Sequence, residues 1–353
     1  MQIIKKRKII IAMSGGVDSS VAAYLLKEQN YDVTAIMLKL WDDLSKCCSL
    51  GDIADARNVA YKLQIPFHLK HTKEQFKEQI VIPFINSYLK GQTPIPCAHC
   101  NSKIKFPIII NEALKLNSDL IATGHYAKIK QQKDGSYSLY KGRDLQKDQT
   151  YFLYGLTQEN LKHIIFPLGD MVKPEVRKIA EKIGISTAEK KESQEVCFVN
   201  DDYKSFVEKN SPPNKLKLGN IITKKGEIIG KHNGIHRYTI GQRKGLGISW
   251  KHPLYVIEID AVNNNIIVGK NEDLYSLEVK ARNLNWLNKK PVKGQTVTAK
   301  VRYRQNSQKA KIIKIEDNLI KLKFEEPQRA VTKGQALVLY SQDNELLGGG
   351  IIF

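Results

Sequence analysis

The chain lacks the features that mark membrane-spanning, secreted or disulfide-stapled proteins. Its 353 residues contain no apolar run of the roughly 18 residues that a transmembrane helix needs. The first residues show neither a signal-peptide apolar region nor a small-residue cleavage site, so we expect a cytoplasmic protein with no membrane partner. Five cysteines, a small and odd number, argue against a disulfide scaffold in such a protein.

Acidic residues are also in short supply. The chain has 56 Lys and Arg against 36 Asp and Glu, a net charge of +20, of which +8 falls in residues 1–200 and +12 in the shorter remainder. This surplus favours a polyanionic partner, most simply nucleic acid, although solvated charges of a lysine-rich protein produce the same count. The length exceeds the roughly 250–300 residues at which one core stops growing, so two or three domains are expected.

A glycine-rich turn near the N-terminus predicts an anion site. The apolar run Lys8–Met13 reads as a buried strand, Ser14–Ser20 has the sequence Ser-Gly-Gly-Val-Asp-Ser-Ser, and a helical pattern follows from Val21. Backbone N–H groups at such a turn approach a phosphate, and the helix dipole favours negative charge. The spacing fits neither a Walker A loop nor a dinucleotide fingerprint. It resembles the PP-loop of ATP pyrophosphatases, which split ATP into pyrophosphate and an adenylated substrate; the alternative is an ordinary glycine-serine turn.

The sequence predicts two successive patterns of secondary structure, first alternating strands and helices and then strands alone. Strand-like and helix-like segments alternate first and predict a parallel sheet covered by helices, with ligands beyond the carboxyl ends of its strands. The expected strands are Tyr31–Leu38, Ile65–Leu69 and Ser118–His125, and the expected helices are Asp52–Leu63, Thr72–Leu89 interrupted at Pro83, and 170–190. From about residue 215 short alternating runs predict a β-barrel: Leu254–Ile259, Ile266–Gly269, Val297–Tyr303 and Ala336–Tyr340.

The cysteines lie in the same part of the chain as the glycine-rich turn. Cys97 and Cys100 form a C-x-x-C pair, and Cys197 stands alone; Cys47 and Cys48 receive no role. A lone C-x-x-C is compatible with a redox dithiol, half of a zinc site or chance, and a lone Cys197 with a buried inert thiol. A closed structural zinc site is not expected, because no second C-x-x-C or His-x3-His occurs.

Several motifs in order along the chain carry a closer resemblance. They are Ser14–Ser20, Cys47–Ser49, Gly91–Pro94, Cys100–Phe106, Thr123–Ala127, Lys147–Leu153, Cys197–Phe198, Arg237–Gly247 and Gly348–Ile352. Together they resemble the bacterial tRNA-specific 2-thiouridylase family over nearly the whole chain. The resemblance implies an α/β PP-loop catalytic domain over 1–200 holding both active cysteines, a β-rich tRNA-contacting central domain over 201–275 and a C-terminal β-barrel over 276–353.

The chemistry of that family explains why paired thiols accompany an ATP site. The resemblance implies that ATP, with Mg²⁺, adenylates the C2 oxygen of a wobble uridine of tRNA, and that sulfur then attacks C2. A persulfide gives up its outer sulfur without breaking a carbon–sulfur bond, and the resemblance makes Cys197 its carrier and Cys100 the partner thiol. A persulfide-delivering donor protein is implied as well. Lys103 and Lys105 are expected to favour the thiolates that this chemistry needs.

The resemblance also assigns binding positions, residue by residue. Asp18 is expected to help hold the magnesium ion, and without the resemblance Arg302 reads as part of a solvated strand edge. The implied ATP-binding residues are Ala12, Met13, Ser14, Gly15, Gly16, Val17, Asp18, Ser19, Leu38 and Gly124. The implied tRNA-binding residues are His125, Lys147, Asp148, Gln149, Arg302, Tyr303 and Gln335.

One segment departs from the family pattern. Where the family carries Asn-Pro-Asp to contact the target base, this chain has Ile95, Pro96 and Cys97. The change supplies a third cysteine, and a [4Fe–4S] cluster on Cys97, Cys100 and Cys197 is therefore the rival mechanism, since thiolates ligate such clusters. An amidating PP-loop ligase and a non-catalytic RNA-binding protein are the remaining alternatives.

Overall fold

The computed structural model describes residues 6–41, 49–185 and 196–353. The expectations for Cys47 and Cys48, and for the helix beyond residue 185, lie outside these ranges. Within them, the first apolar runs form a parallel sheet in the order β3-β2-β1-β4-β7, as predicted. Its strands are β1 (Lys8–Ala12), β2 (Asp32–Lys39), β3 (Phe67–His71), β4 (Ile121–Ala122) and β7 (Ile164–Ile165).

The strand predicted over Ser118–His125 is mostly wrong. Only two residues, Ile121 and Ala122, pair with neighbouring strands. Before them, the Ser118 hydroxyl donates to the carbonyl oxygens of Lys8 and Leu120, which fixes a turn instead of extended backbone. After them, the chain leaves the sheet at Thr123. The carboxyl ends of β1, β2 and β4 nevertheless meet at one edge, because neighbouring strands are parallel.

Helices cover the sheet. They are α1 (Val17–Glu28), α2 (Leu50–Lys62), α3 (Lys73–Phe76), α4 (Ile82–Leu89), α5 (Pro96–Cys100), α6 (Phe106–Lys115), α7 (Gln158–Leu161), α8 (Lys173–Lys182) and α9 (Tyr203–Lys209). Two π-helical segments, Lys77–Val81 and Asn101–Lys105, join α3 to α4 and α5 to α6. The helix predicted over Thr72–Leu89 is thus continuous, and the wider turn before Pro83 accommodates a residue that cannot donate a backbone hydrogen bond.

The remaining strands form three further β units. A hairpin joins β5 (Ala127–Gln131) to β6 (Tyr137–Lys141) within the first domain. A four-stranded central sheet has the order β10-β11-β8-β9. Its strands are β8 (Gly219–Thr223), β9 (Ile228–His232), β10 (Tyr255–Asp260) and β11 (Asn265–Gly269).

A closed six-stranded barrel ends the chain and confirms the predicted β-barrel. Its order is β12-β15-β14-β13-β16-β17. The strands are β12 (Tyr275–Trp286), β13 (Thr296–Lys300), β14 (Gln308–Ile315), β15 (Leu319–Arg329), β16 (Ala336–Tyr340) and β17 (Leu346–Ile352). The strand predicted over Val297–Tyr303 therefore stops at Lys300, and the next residues turn toward the first domain.

Strand β16 is buried on both faces because it belongs to two cores. Leu337 and Leu339 point into the barrel, whereas Ala336, Val338 and Tyr340 join the core of the α/β domain. Side chains alternate along a strand, so one continuous apolar run serves both neighbours. The barrel is thereby packed directly onto the first domain. Of the helices in the described ranges, none combines the length and the apolar character needed to span a bilayer.

Candidate active site

The glycine-rich turn connects β1 to α1 at the carboxyl edge of the sheet. Its backbone is shaped by local hydrogen bonds: the Ser14 N–H donates to Ser19 Oγ at 3.1 Å, and Ser20 Oγ donates to the Gly16 carbonyl at 2.9 Å. Gly16 is the N-cap of α1 and has no side chain to bond the first turn. The first N–H groups of this twelve-residue helix are therefore not capped by a side chain, as a phosphate-binding turn requires.

Two glycines of the site have no room for a side chain. Gly15 has φ +70°, and a Cβ built on it collides with the carbonyl oxygen of Asp52 at the start of α2. A Cβ on Gly124 comes within 2.7 Å of the Ser19 nitrogen and 2.8 Å of the Asp18 carbonyl carbon. The turn after β4 thus lies directly against the first turn of α1. Gly124 therefore lies against the glycine-rich turn, where the family resemblance implies it.

Asp18 has partners that sequence reasoning missed. The Lys173 ammonium donates to both carboxylate oxygens of Asp18, at 2.7 and 2.8 Å, and the Tyr126 hydroxyl donates to Oδ1 at 2.7 Å. Lys173 is 7% exposed and begins α8, which packs against α1. The only signal in the sequence is a lysine directly before Pro174, at a helix start. The pair fixes the Asp18 side chain and places a buried cation beside the phosphate cradle.

The C-x-x-C cysteines lie on one short helix with different environments. Cys100 is buried in the core of the α/β domain, whereas Cys97 is an exposed residue of α5. Desolvation raises the pKa of the Cys97 thiol although part of this residue is exposed, and the nearby Lys105 charge lowers that pKa. Lys103 acts instead on His99, whose pKa is lowered by burial and by that charge. The effect expected of Lys103 and Lys105 on the thiolates of Cys100 and Cys197 stays a prediction, since the charge of Lys105 acts here on Cys97.

Cys197 lies on the same hydrophobic core. Its neighbour Phe198 is buried, and its ring lies 5.4 Å from that of Phe76 and 5.1 Å from that of Phe84. Helix α5 packs against the π-helical segment Lys77–Val81 that joins α3 to α4. The Cys197 and Cys100 segments thus flank one helical unit, and Cys197 stays half-buried. None of the three described cysteines forms a disulfide.

The described residues do not form a metal centre. In the ranges that the structure covers, no group of three or more His, Cys, Asp or Glu side chains has the arrangement of metal ligands. Cys97, Cys100 and Cys197 all belong to those ranges. The three cysteines as arranged here do not fit a [4Fe–4S] cluster.

Comparison with known proteins identifies the family. The chain is 46% identical to the tRNA-specific 2-thiouridylase MnmA of Geotalea uraniireducens, covering 99% of this chain and 95% of that protein. It is 47% identical to the protein of the same name from Clostridioides difficile strain 630, covering 98% of each. The chain belongs to the tRNA-specific 2-thiouridylase family. The predicted resemblance is confirmed.

Family models agree with the division of the fold into domains. Three models match the thiouridylase chain: a tRNA methyl transferase HUP domain over 7–201, a tRNA methyl transferase PRC-barrel domain over 204–270 and an aminomethyltransferase β-barrel domain over 276–352. An NMN synthetase from Francisella tularensis aligns at 18% identity with a TM-score of 0.34, over 54% of this chain and 67% of its own. A 4-thiouridine synthetase–RNA complex aligns at 19% and 0.36, over 57% and 49%. Scores this low carry no argument about function.

The segment implied to contact the target base is only partly accessible in this thiouridylase. Ile95 and Pro96 are buried, and Cys97 alone is exposed. A barrel residue bonds the segment just before Ile95. The Gln335 side-chain amide donates to the carbonyl oxygens of Thr93 and Pro94, at 3.0 and 3.1 Å. Gln335, which the resemblance assigned to tRNA, here shapes the approach to α5.

Arg302 is also engaged inside the protein. One of its terminal nitrogens donates to the Ile240 carbonyl at 3.1 Å and to the Ala330 carbonyl at 2.7 Å, and also reaches the Thr332 hydroxyl. Ile240 belongs to the central domain and Ala330 to the barrel. Desolvation lowers the pKa of the guanidinium from its usual value. The solvated-edge alternative is wrong for Arg302, which braces two domains.

The other residues assigned to tRNA line the junction between the first domain and the barrel. The Gln149 side chain accepts from the Tyr126 N–H at 3.0 Å, and Asp148 is buried and accepts from the Thr150 hydroxyl at 2.8 Å. Tyr303 packs its ring 4.4 Å from that of Phe152. Lys147 is half-buried in the loop just before Asp148. These positions are contiguous with the carboxyl edge of the sheet.

His125 sits beside the nucleotide loop as a neutral ring. Its Nδ1 is 2.7 Å from the Thr123 hydroxyl, and its ring lies 5.8 Å from that of Phe106 and 5.9 Å from that of Phe166. Desolvation and the Lys105 charge lower its pKa to about 3. Any contact with RNA would therefore be made by an uncharged imidazole near neutral pH.

Proposed function

We propose that this chain is an ATP-dependent tRNA-uridine 2-sulfurtransferase that thiolates the wobble uridine. The observation that carries the proposal is the whole-length family membership, combined with a glycine cradle at α1 and two cysteine segments on one helical unit. Its relatives' names describe thiouridylases, whereas the domain model's label mentions methyl transfer. A phosphate cradle serves nucleotide chemistry, and it supports the first description.

Adenylation comes first in the proposed sequence. The C2 oxygen of the uracil attacks the α-phosphorus of ATP, so a C2–O–AMP bond forms and pyrophosphate leaves. The backbone around Ser14–Ser19 would hold the phosphates, with the remaining implied nucleotide contacts from Ala12, Leu38 and Gly124. Lys173 orients Asp18 and adds positive charge near the leaving pyrophosphate. The part-exposed Asp18 carboxylate is a ligand type that Mg²⁺ accepts beside phosphate oxygens, and the bound ion would screen the phosphate charge.

Sulfur transfer follows on the two cysteines. A donor protein loads Cys197 as a persulfide, whose outer sulfur attacks C2. The Cys100 thiolate attacks the inner sulfur, so the S–S bond of the persulfide breaks and a Cys100–Cys197 disulfide forms, while AMP leaves C2. A thiol reductant then restores both cysteines. The burial of Cys100 and the partial burial of Cys197 would keep water away from the activated uridine. No step is derived through an iron–sulfur cluster, because the cysteines do not form a ligand group.

The decisive experiment measures two products of one reaction. Purified protein is incubated with ATP, an unmodified tRNA transcript and a persulfide source; released pyrophosphate and the mass of the wobble nucleoside are then quantified. We expect Cys100→Ser and Cys197→Ser to lose thiouridine but keep tRNA-dependent pyrophosphate release. Cys97→Ser is the matched control and should retain substantial thiolation, because two thiols suffice.

Two outcomes would contradict the proposal. Thiouridine formation by the Cys197→Ser protein would remove the persulfide carrier. An inactive Cys97→Ser protein, together with stoichiometric iron and sulfide in anaerobically purified wild type, would instead favour the cluster mechanism. Absence of any ATP-dependent pyrophosphate release would leave only RNA binding.

A further inference from the structure

A basic pocket lies in the central domain, in the Arg237–Gly247 motif that the proposed reaction does not use. Its volume is about 240 Å³, and its lining includes Lys204, Lys231, Asn233 and Arg237, with the backbone of Gly245 and Gly247. These residues come from α9, from β9 and from the loops that follow β9. Three cations from separate elements therefore converge on one concave surface.

The positive charge of this pocket is only partly neutralised. Glu208 is 2.9 Å from His236 Nε2 and forms an ion pair with Arg237 at 2.6 Å, so its charge balances that of Arg237. The Asp202 carboxylate lies two residues from Lys204, and the Lys204 charge lowers its pKa, but among the described residues neither Lys204 nor Lys231 takes part in an ion pair. Two lysine charges remain available at the rim, where Lys231 is exposed and Lys204 half-buried.

The histidine in the lining contributes shape rather than charge. His232 Nδ1 accepts from the Gly234 N–H at 3.0 Å, so its Nε2, 3.0 Å from the Asn264 carbonyl, carries the proton. Desolvation, the largest influence, lowers its pKa. The neutral ring packs 5.7 Å from that of Tyr238 and forms a wall of the pocket. The charge that a ligand meets thus comes from Lys204, Lys231 and Arg237.

The glycine loop adds a second feature suited to an oxyanion. Gly245 and Gly247 have φ +78° and +67°, and a Cβ on Gly247 would meet no atom within 4 Å. These glycines are therefore needed for backbone direction and not for close packing. Alternating backbone handedness lets successive N–H groups face one concave side, which is how backbone loops bind anions.

We propose that this pocket binds a phosphate group of the tRNA backbone, an inference that rests on the proposed function. Lysine and arginine with backbone N–H groups match a phosphate oxyanion and carry no feature that reads a base. A free phosphate or pyrophosphate has the same chemistry. The open rim and the +12 charge beyond residue 200 favour the polymeric source, because a long polyanion also meets the surrounding cations.

The test compares two double variants of the full chain with equal loss of charge. Lys204→Gln with Lys231→Gln removes the available pocket cations, whereas Lys217→Gln with Lys225→Gln removes two exposed lysines of the same domain outside the pocket. Affinity for an unmodified tRNA transcript is measured across a salt series. The pocket variant should weaken binding and flatten the slope of log affinity against log salt by about one per lysine, and the control should change it far less.

Free inorganic phosphate and pyrophosphate, added in thermal-melting experiments, distinguish the other source. Stabilisation of the wild type by these probes, with tRNA affinity of the pocket variant equal to that of the control variant, would overturn the tRNA assignment. Equal effects of both double variants on the salt slope would overturn the pocket. Failure of the proposed function is distinguishable from failure of this site. A wild-type protein that binds tRNA but forms no thiouridine would refute the proposed reaction and would say nothing against phosphate binding in this pocket.

Discussion

The glycine-rich loop and the barrel, the two regions expected to contact ligands, differ in what their polar groups bond. At the carboxyl edge of the sheet, the loop before α1 carries glycines, and no side chain caps the helix that follows. In the barrel, Arg302 donates to the Ile240 carbonyl of the central domain, and Gln335 donates to the Thr93 carbonyl of the first domain. The first region leaves the start of α1 without a side-chain cap, and the second holds protein segments in place.

This contrast shows that positions assigned to tRNA by the family resemblance also hold protein segments together. Gln335 holds the carbonyls of Thr93 and Pro94, just ahead of the cysteine helix, and Arg302 joins the central domain to the barrel. Loss of either side chain would disturb RNA binding through altered geometry. A simple binding measurement cannot separate that effect from a lost phosphate contact, whereas the salt slope can.

The largest effect is expected at Gly15. A valine there collides with the Asp52 carbonyl and must adopt φ +70°, so the Gly15→Val protein should lose about 100-fold or more of its pyrophosphate release. Gly135→Val is the matched control, since Gly135 has φ +84° but open space around it. tRNA affinity should persist in both. Parallel collapse of tRNA binding in a folded Gly15→Val protein would break the division between the two regions.

Lys173 comes next. Lys173→Met leaves Asp18 without its ammonium partner, and we expect roughly 2 kcal/mol of lost stability, because hydrogen bonds to charged groups are worth that much and Asp18 is part-exposed. Pyrophosphate release should fall about tenfold or more. Lys178→Met, at an exposed position of the same helix, serves as control. Unchanged kinetics in a stable Lys173→Met protein would show that the pair is structural only.

Arg302 tests the bracing role in the barrel. Arg302→Gln should destabilise the protein by roughly 1–3 kcal/mol, since three acceptors lose a charged donor. The salt slope of tRNA binding should match that of Lys309→Gln, an exposed barrel variant with the same charge change. A slope flattened by about one relative to that control would restore Arg302 as a phosphate contact.

The smallest effect concerns pH. Because the folded state lowers the pKa of His125 to about 3, the proton binds the unfolded chain more readily. The stability associated with a neutral His125 is therefore complete above about pH 6.5 and declines as pH falls toward 3. His125→Gln should flatten this decline in urea unfolding, whereas His68→Gln, at an exposed position, should not. Identical pH profiles for all three proteins would contradict a desolvated neutral ring.

The strand–turn–helix geometry of the glycine-rich loop was predictable because its signal in the sequence is local. A strand, two glycines and a helix start lie within a few residues of one another, and the family motif adds Gly124 at the next strand end. The contact of Lys173 with Asp18 was not predicted, because the two residues lie 155 positions apart and meet only through the packing of α8 on α1. The acceptors that Arg302 bonds come from other segments of the chain. The periodicity of a single segment cannot predict that these segments meet.

The two π-helical segments have a consequence for the spacing of the cysteine helix. Each is followed by a helix whose second residue is proline, Pro83 in one case and Pro107 in the other. A π-turn is equivalent to one inserted residue, and one residue rotates a helix face by about 100°. Deleting a single residue from Asn101–Lys105 would therefore turn Cys100 away from its present neighbours while leaving α6 in the core. The angular setting of the Cys100 side chain depends on this one extra residue, so relatives with altered length there should differ in the environment of this thiol more than in fold.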